Sequence, residues 1–402
     1  MVSKDTYIAV LAGMGGFSDG FALLLGGAAL LSLSQYFKLT PSVEGLIISA
    51  PFIGSVIGSL IFGRLSDLFG RRAIFLNVLL FFVLGSLVSA LAYSIPLLVA
   101  GRLLVGIGIG GDIPSGASLV AELSSERSRG RLISVQSILW GLGGALAALV
   151  ALPLLGLMGS ESWRIILGLG AVPPLIVLLL RRSVNESWVW ELKRRNSAFR
   201  LRDRGRYTLT LAFTAASLFV WTFILAIFAN YTPTILVDAM KLSKSMALLI
   251  GGLQWIGFVA GGLLVFKYCD RLGRRRLIIP ATVGEAVLLG LSALVVKDPI
   301  AMSIMLFILW VLGGIGYIVN SIYSAELFPT LLRGTSSGLG FSAGRLGGYL
   351  STLIIPSLLL AIGLSNIFLI TVFLISPLAM VCLIAAPSSE NKSLDELEGQ
   401  YY

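Results

Sequence analysis

Five ionisable side chains fall well inside long apolar runs: Asp19, Arg102, Asp112, Glu285 and Arg345. The first is framed by GGFSDGFALLLGG at 15–27, and from Thr6 to Phe37 no other residue is charged. An unpaired charge in hydrocarbon costs at least about 2.5 kcal/mol, so each of these needs a partner or a wet cavity. The chemistry open to them is pairing, parting and proton exchange. The chain has no histidine, so any proton must ride on a carboxylate, and histidine relays and histidine–metal sites are excluded. Two cysteines, Cys269 in a basic loop and Cys382 in an apolar run, suggest neither a disulfide nor a redox pair. Neither a metal nor another cofactor is expected, and with no nucleophile motif the residues do not read as an enzyme.

The elements that must hold these charges are membrane helices. Of 402 residues, 56% are hydrophobic and 12% charged, about half the charge of a soluble domain. The polar residues cluster and leave runs long enough to cross roughly 30 Å of hydrocarbon. Twelve spans are expected, at 7–33, 43–62, 73–94, 95–121, 132–157, 163–180, 207–231, 246–266, 277–296, 300–325, 335–361 and 365–386. The first is too long for a cleaved signal peptide and lacks a processing site. Most of the 30 lysines and arginines lie in loops after even-numbered spans, which places those loops and both termini in the cytoplasm. Topology thus accounts for the net charge of +10, with no need of a nucleic-acid partner. The expected partners are the lipid bilayer, a small-molecule solute and protons. The protein is expected to act as a monomer in the cell membrane.

The longest loop, 181–206, is basic with interleaved tryptophans and reads as a linker helix at the inner membrane surface. It divides the chain into bundles at 1–180 and 207–386, followed by a cytoplasmic tail at 387–402. The halves repeat. RLSDLFGRR at 64–72 returns as KYCDRLGRR at 267–275, and AELSSERSRG at 121–130 returns as AELFPTLLRG at 325–334, at nearly the same offset. Parallel repeats related by an axis along the membrane normal are a transporter feature. Asp67 and Asp270 close one helix, Gly70 and Gly273 supply the turn, and Arg71, Arg72, Arg274 and Arg275 open the next. Glu122 and Glu326 end their helices within reach of loop arginines such as Arg129 and Arg333. These ten charges read either as latches that release in another conformation or as static topogenic salt bridges.

GRLSDLFGRR, RLLVGIGIGGDIPSG with AEL and RGRL, and YSAELFPTLLRGTSSGLG resemble the major facilitator superfamily over essentially the whole chain. The branch they resemble holds sugar porters, organic-ion carriers and phosphate:proton symporters. NESWVW at 185–190 and PSSENKSLDELE at 387–398 stand where sugar porters carry related motifs, while GIGIGGDIP and FSAGRLGG resemble phosphate and metabolite symporters. The resemblance implies an all-α membrane protein with two pseudo-symmetric six-helix bundles working by alternating access. Sugar porters usually have a glutamine pair where this chain has Val220 and Trp221. They place a glutamine at Gly144 and a tryptophan at Ser321, so a standard hexose site is not expected. Phosphate symporters carry a second helix-one acid, a tyrosine after G-G-D and a helix-seven acid. This chain has Ala22 and Ile113 at the first two and no acid in that span. The helix-five signature of drug antiporters is absent.

Asp19 lies roughly 18 Å from the inner end of its span and Arg102 roughly 20 Å from the inner face, so they are able to pair. In proton-coupled sugar porters a helix-one acid aligned with Ala22 pairs with the arginine matching Arg102. Asp19, one turn earlier, suggests a shifted version of that switch, or else a permanent ion pair. Arg345 sits at mid-depth where metabolite symporters place a cationic substrate contact; an anionic solute, Glu285 or a water-filled vestibule would answer its charge. Asp112 reads as a second proton site, a gate or a structural group beside Pro114, and Glu285 as structural. Gln136, Trp140, Asn230, Gln254, Asn320 and Tyr323 are cavity candidates, each equally open to a packing role. The glycine run 106–111 fits helix packing better than dinucleotide binding, since it lies inside an apolar span. The expected activity is proton-coupled import of a small polar organic solute, leaning to an organic or sugar acid. A neutral sugar porter, a proton-coupled exporter and a non-transporting sensor are the alternatives.

Overall fold

A computed structural model describes residues 4–125, 127–157, 159–184, 186–187, 190–192, 207–296, 298–389, 392 and 396. The helices are α1 Lys4–Phe37, α2 Pro41–Phe69, α3 Arg71–Ala90, α4 Ile95–Leu123, α5 Arg129–Leu157, α6 Ser162–Leu169, α7 Val172–Leu180, α8 Thr208–Met240, α9 Lys244–Leu272, α10 Arg274–Ser292, α11 Pro299–Glu326 and α12 Thr330–Ala385. They give the twelve expected crossings, three of them in altered form. The sixth is broken into α6 and α7, because Pro173 and Pro174 open α7 and cannot continue the turn before it. The eleventh and twelfth are the two limbs of α12, which reverse at Gly363, where φ of 78 and ψ of 167 suit a residue without Cβ. Prolines Pro41 and Pro299 open α2 and α11, and the Asp298 carboxylate accepts from the N–H groups of Ile300 and Ala301 at 2.9 and 3.1 Å.

Lipid offers no hydrophobic drive between helices, so close backbone approach holds them together. Gly54 and Gly58 of α2 lie on the carbonyls of Leu103 and Ile107 of α4, and Gly106 and Gly110 return the contact to Pro51 and Ser55. Ser55 and Ser59 donate to the carbonyls of Gly106 and Gly110, each at 3.0 Å. The glycine run therefore packs helices. In the second half Gly257 and Gly261 of α9 meet the carbonyls of Phe307 and Val311 of α11 in the same manner. Between the halves, α2 packs on the first limb of α12 and α5 packs on α9.

The linker departs from its expected place where it is described. Arg181 is fully buried, and Trp190, also buried, donates from Nε1 to the Asp67 carbonyl at 3.0 Å. These residues dock into protein rather than lie on a membrane surface. Residues 193–206 and most of the tail lie outside the described residues.

Candidate functional site

Midway along α1, Asp19 is 1% exposed and faces the second half of the molecule. A terminal nitrogen of Arg345, from the first limb of α12, donates to its Oδ2 at 2.5 Å, and Trp140 Nε1 of α5 donates to the same oxygen at 3.0 Å. Oδ1 has no hydrogen-bond partner. Trp140 stacks on Tyr317 with ring centroids 5.7 Å apart and meets Trp255 and Phe258 edge-on, which fixes its indole. Around this point Gly16, Gln136, Ser137, Tyr317, Ser321 and Phe341 help enclose a cavity of about 20 Å³. That is room for about one water. A solute reaches Asp19 and Arg345 only when the helices part.

The expected Asp19–Arg102 pair is not formed. Three residues along a helix turn a side chain by about 60° net, which aims Asp19 away from the Ala22 direction and toward α5 and α12. Arg102 is buried with no ion pair or hydrogen bond among the described residues. Arg345 finds its counter-ion in Asp19, not in Glu285. Glu285 lies buried beside Gly313 with Oε2 unpartnered. Asp112 is held by both terminal nitrogens of Arg181, whose guanidinium also lies 3.6 Å from the Phe75 ring centroid and donates to the carbonyls of Leu11 and Phe75. The bare backbone at Gly15 admits this pair against α1.

Of the polar candidates, Gln136 and Trp140 reach the central cavity. The others do not gather there. Asn230 and Asn320 donate to carbonyls of their own helices, Gln254 accepts from Thr232 at 3.1 Å, and the Tyr323 hydroxyl donates to the Pro387 carbonyl at 2.6 Å near the helix ends. Arg181 and Tyr317 were not singled out from sequence. Arg181 is the first charge after the sixth apolar run, a position that hid it among the loop arginines; Tyr317 carried no signal beyond its type.

The face bearing the arginine-rich loops joins the two halves through charge. Asp67 pairs with Arg71 of its own half at 2.5 Å and accepts from the N–H groups of Gly334 and Thr335 of the other at 3.1 and 2.7 Å. Asp270 reciprocates: it pairs with Arg274 and accepts from the N–H groups of Gly130 and Arg131, whose first-turn donors in α5 have no helical acceptor. Glu122 takes Arg71 and Arg333 together, each at 3.1 Å, and the Ser187 hydroxyl at 2.6 Å. Glu326 takes Arg274 at 2.7 Å and Ser389 at 2.9 Å. Burial would push the Arg274 guanidinium down, but Glu326 and Asp270 outweigh it and raise it. Glu186 accepts from the N–H groups of Arg71 and Arg72 at 2.9 and 3.2 Å, close against Gly70, whose φ of 108 bars a side chain there. Arg72, Arg129 and Arg275 donate to the carbonyls of Val184, Lys392 and Leu383.

Two bundles of six crossings, closing around one buried ion pair, define a membrane transporter of the major facilitator fold. The chain belongs to the sugar (and other) transporter family, whose model matches residues 8–204 and 196–401. It is 30% identical to a putative metabolite transport protein, YaaU, of Escherichia coli, over 90% of this chain and 87% of that protein. It is 25% identical to the minor myo-inositol transporter IolF of Bacillus subtilis, over 100% of this chain and 94% of that one. Among solved structures, the proton:xylose symporter XylE bound to 6-bromo-6-deoxy-D-glucose shares the fold with a TM-score of 0.86, at 21% identity, covering 99% of each chain. The family consists of multi-pass membrane transporters of small molecules rather than enzymes.

Proposed function

We propose that the chain imports a small organic anion together with a proton, by alternating access between bundles 1–180 and 207–386. The positive-inside distribution of Lys and Arg supports a cytoplasmic position for the basic face and both termini. In this reading Asp19 carries the proton and Arg345, not Arg102, is its switch partner and the cation that receives the solute. The ion pair between them is the observation that carries the proposal.

Asp19 and Arg345 sum to zero in the closed, empty centre. A carboxylate arriving from water displaces Asp19 from the guanidinium, which it binds through the same donor geometry. Asp19 is then an anion without its cation in a low-dielectric site, and taking a proton removes that cost. The loaded centre, Arg345 with the solute and Asp19 protonated, again sums to zero. Binding of one anion and one proton is thereby linked, with the Asp19–Arg345 centre neutral before and after. Release toward the basic face then requires the contacts of Asp67, Glu122, Asp270 and Glu326 to part, which gives those carboxylates and their arginines the role of a latch.

A second reading is import of a neutral polyol, favoured by the likeness to the myo-inositol transporter. A neutral solute would leave the Asp19–Arg345 pair intact and could bind beside Gln136 and Tyr317. Proteoliposomes separate the readings. Gluconate uptake should rise with an inward pH gradient, and Asp19→Asn should lose gradient-driven accumulation while keeping gluconate counterflow. Full gradient-driven uptake by that variant would remove Asp19 from the coupling, and uptake of myo-inositol but of no anion would favour the second reading.

A further inference from the structure

Arg102 is a buried charge at the level of the central spans that the proposed cycle does not use. Its side chain is 4% exposed, its Nε has no acceptor, and among the described residues no carboxylate lies within ion-pair distance. Such a guanidinium costs at least about 2.5 kcal/mol in hydrocarbon. Folding would select against it unless something answers the charge during the working cycle.

Small residues of α1 flank it. One terminal nitrogen rests against Gly26 of α1, so closely that any Cβ there would collide with it. At the preceding four-residue steps on this face of α1 stand Ala22 and Ser18, both buried and both small. Gly26 is seven residues beyond Asp19, which sets Arg102 about 10 Å from the central pair, on the side away from the basic face. A guanidinium fork thus sits next to a strip of small side chains that runs to Asp19.

We infer that Arg102 is an outer reception site for the solute's carboxylate, filled before Arg345. The class of ligand is a small monocarboxylate, which answers one positive charge with the two oxygens that a guanidinium binds side by side. The inference rests on the reading of the solute as an organic anion. It adds a sequence of events: capture at Arg102, transfer past Ala22, then displacement of Asp19 from Arg345. Arg102 is therefore a binding residue in its own right and not the proton switch.

The test uses phenylglyoxal, which modifies arginine, applied outside proteoliposomes of the full chain and read at Arg102 by peptide mass. Gluconate or benzoate should slow modification by about tenfold, as expected for a charge-assisted contact, and myo-inositol should not. Asp19→Asn should leave this protection in place. In uptake assays Arg102→Gln should raise the external half-saturation for gluconate about tenfold with little change in maximal rate, and Arg102→Lys should recover part of it. Half-saturation measured from the inner side should stay put. The inference is overturned if Arg102 is unreactive, or reacts equally fast with and without carboxylates. It is also overturned if Arg102→Gln behaves as Asp19→Asn should, losing gradient-driven accumulation while keeping counterflow. Absence of anion transport by the unmodified chain would sink the proposed function, and protection of Arg102 would still decide the reception site.

Discussion

The two faces of this transporter are closed by different physics. At the basic face the halves meet through carboxylates that reach across to the other half's backbone and arginines: Asp67 to Gly334 and Thr335, Asp270 to Gly130 and Arg131, Glu122 to Arg333. At the opposite face backbone lies closely on backbone between the halves. Gly27 of α1 lies on Asn230 of α8, and Gly45 of α2 on Leu353 of α12. One face is shut by directional bonds that fail when a single partner is lost, the other by packing that fails when volume is added. A carrier that must open each side in turn thereby has two closures that can be changed separately.

Glu122→Ala should have the largest effect. It leaves Arg71 and Arg333 buried without their shared acceptor, a loss of about 3–5 kcal/mol for a broken buried pair. Hydrogen exchange should quicken at 129–131 and 330–335 while the glycine contacts at 27 and 45 stay protected. Equal loosening at both faces would mean that the closures are not independent. Gly27→Val is the converse break. Crowding Asn230 should cost about 1–3 kcal/mol, and spin labels placed across α1 and α8 should move apart at that end alone. The Thr335 hydroxyl also donates to Asp67 Oδ2, and Thr335→Val removes it but keeps the two backbone donors. A loss of about 1.5 kcal/mol, read as a lower thermal midpoint, would measure what one charge-assisted bond adds to the basic closure. Smallest of all should be the effect of added salt. The pairs are buried and poorly screened, so raising ionic strength should leave hydrogen exchange at both faces almost unchanged.

Much of the basic face was legible because its parts recur as short strings. Asp67, Gly70 and Arg71 lie within one turn and a loop of each other, as do Asp270, Gly273 and Arg274, and local geometry sets their first contacts. Glu122 and Glu326 were recognisable as their counterparts for the same reason, although Glu122 finds Arg71 and Arg333 rather than Arg129. The centre was half legible. Burial made a charge at Asp19 conspicuous and depth narrowed its partner to arginines at the same level. Depth alone does not separate Arg102 from Arg345; that choice depends on which way α1 is rotated, and a shift of three residues turns the carboxylate from one to the other. Arg181 was out of reach altogether. Its partner Asp112 lies in a distant span, and only the packing of the helices shows that the end of α7 meets it.

The opposite signs of Asp19 and Arg345, bonded at 2.5 Å, have an electrical consequence. Moving one elementary charge through 100 mV of membrane potential is worth about 2.3 kcal/mol, enough to make a carrier's rate track voltage. Two opposite charges travelling together feel almost no net force from that field. The Asp19–Arg345 pair therefore contributes almost no gating charge of its own, and any voltage dependence of the empty carrier's return must come from other charges.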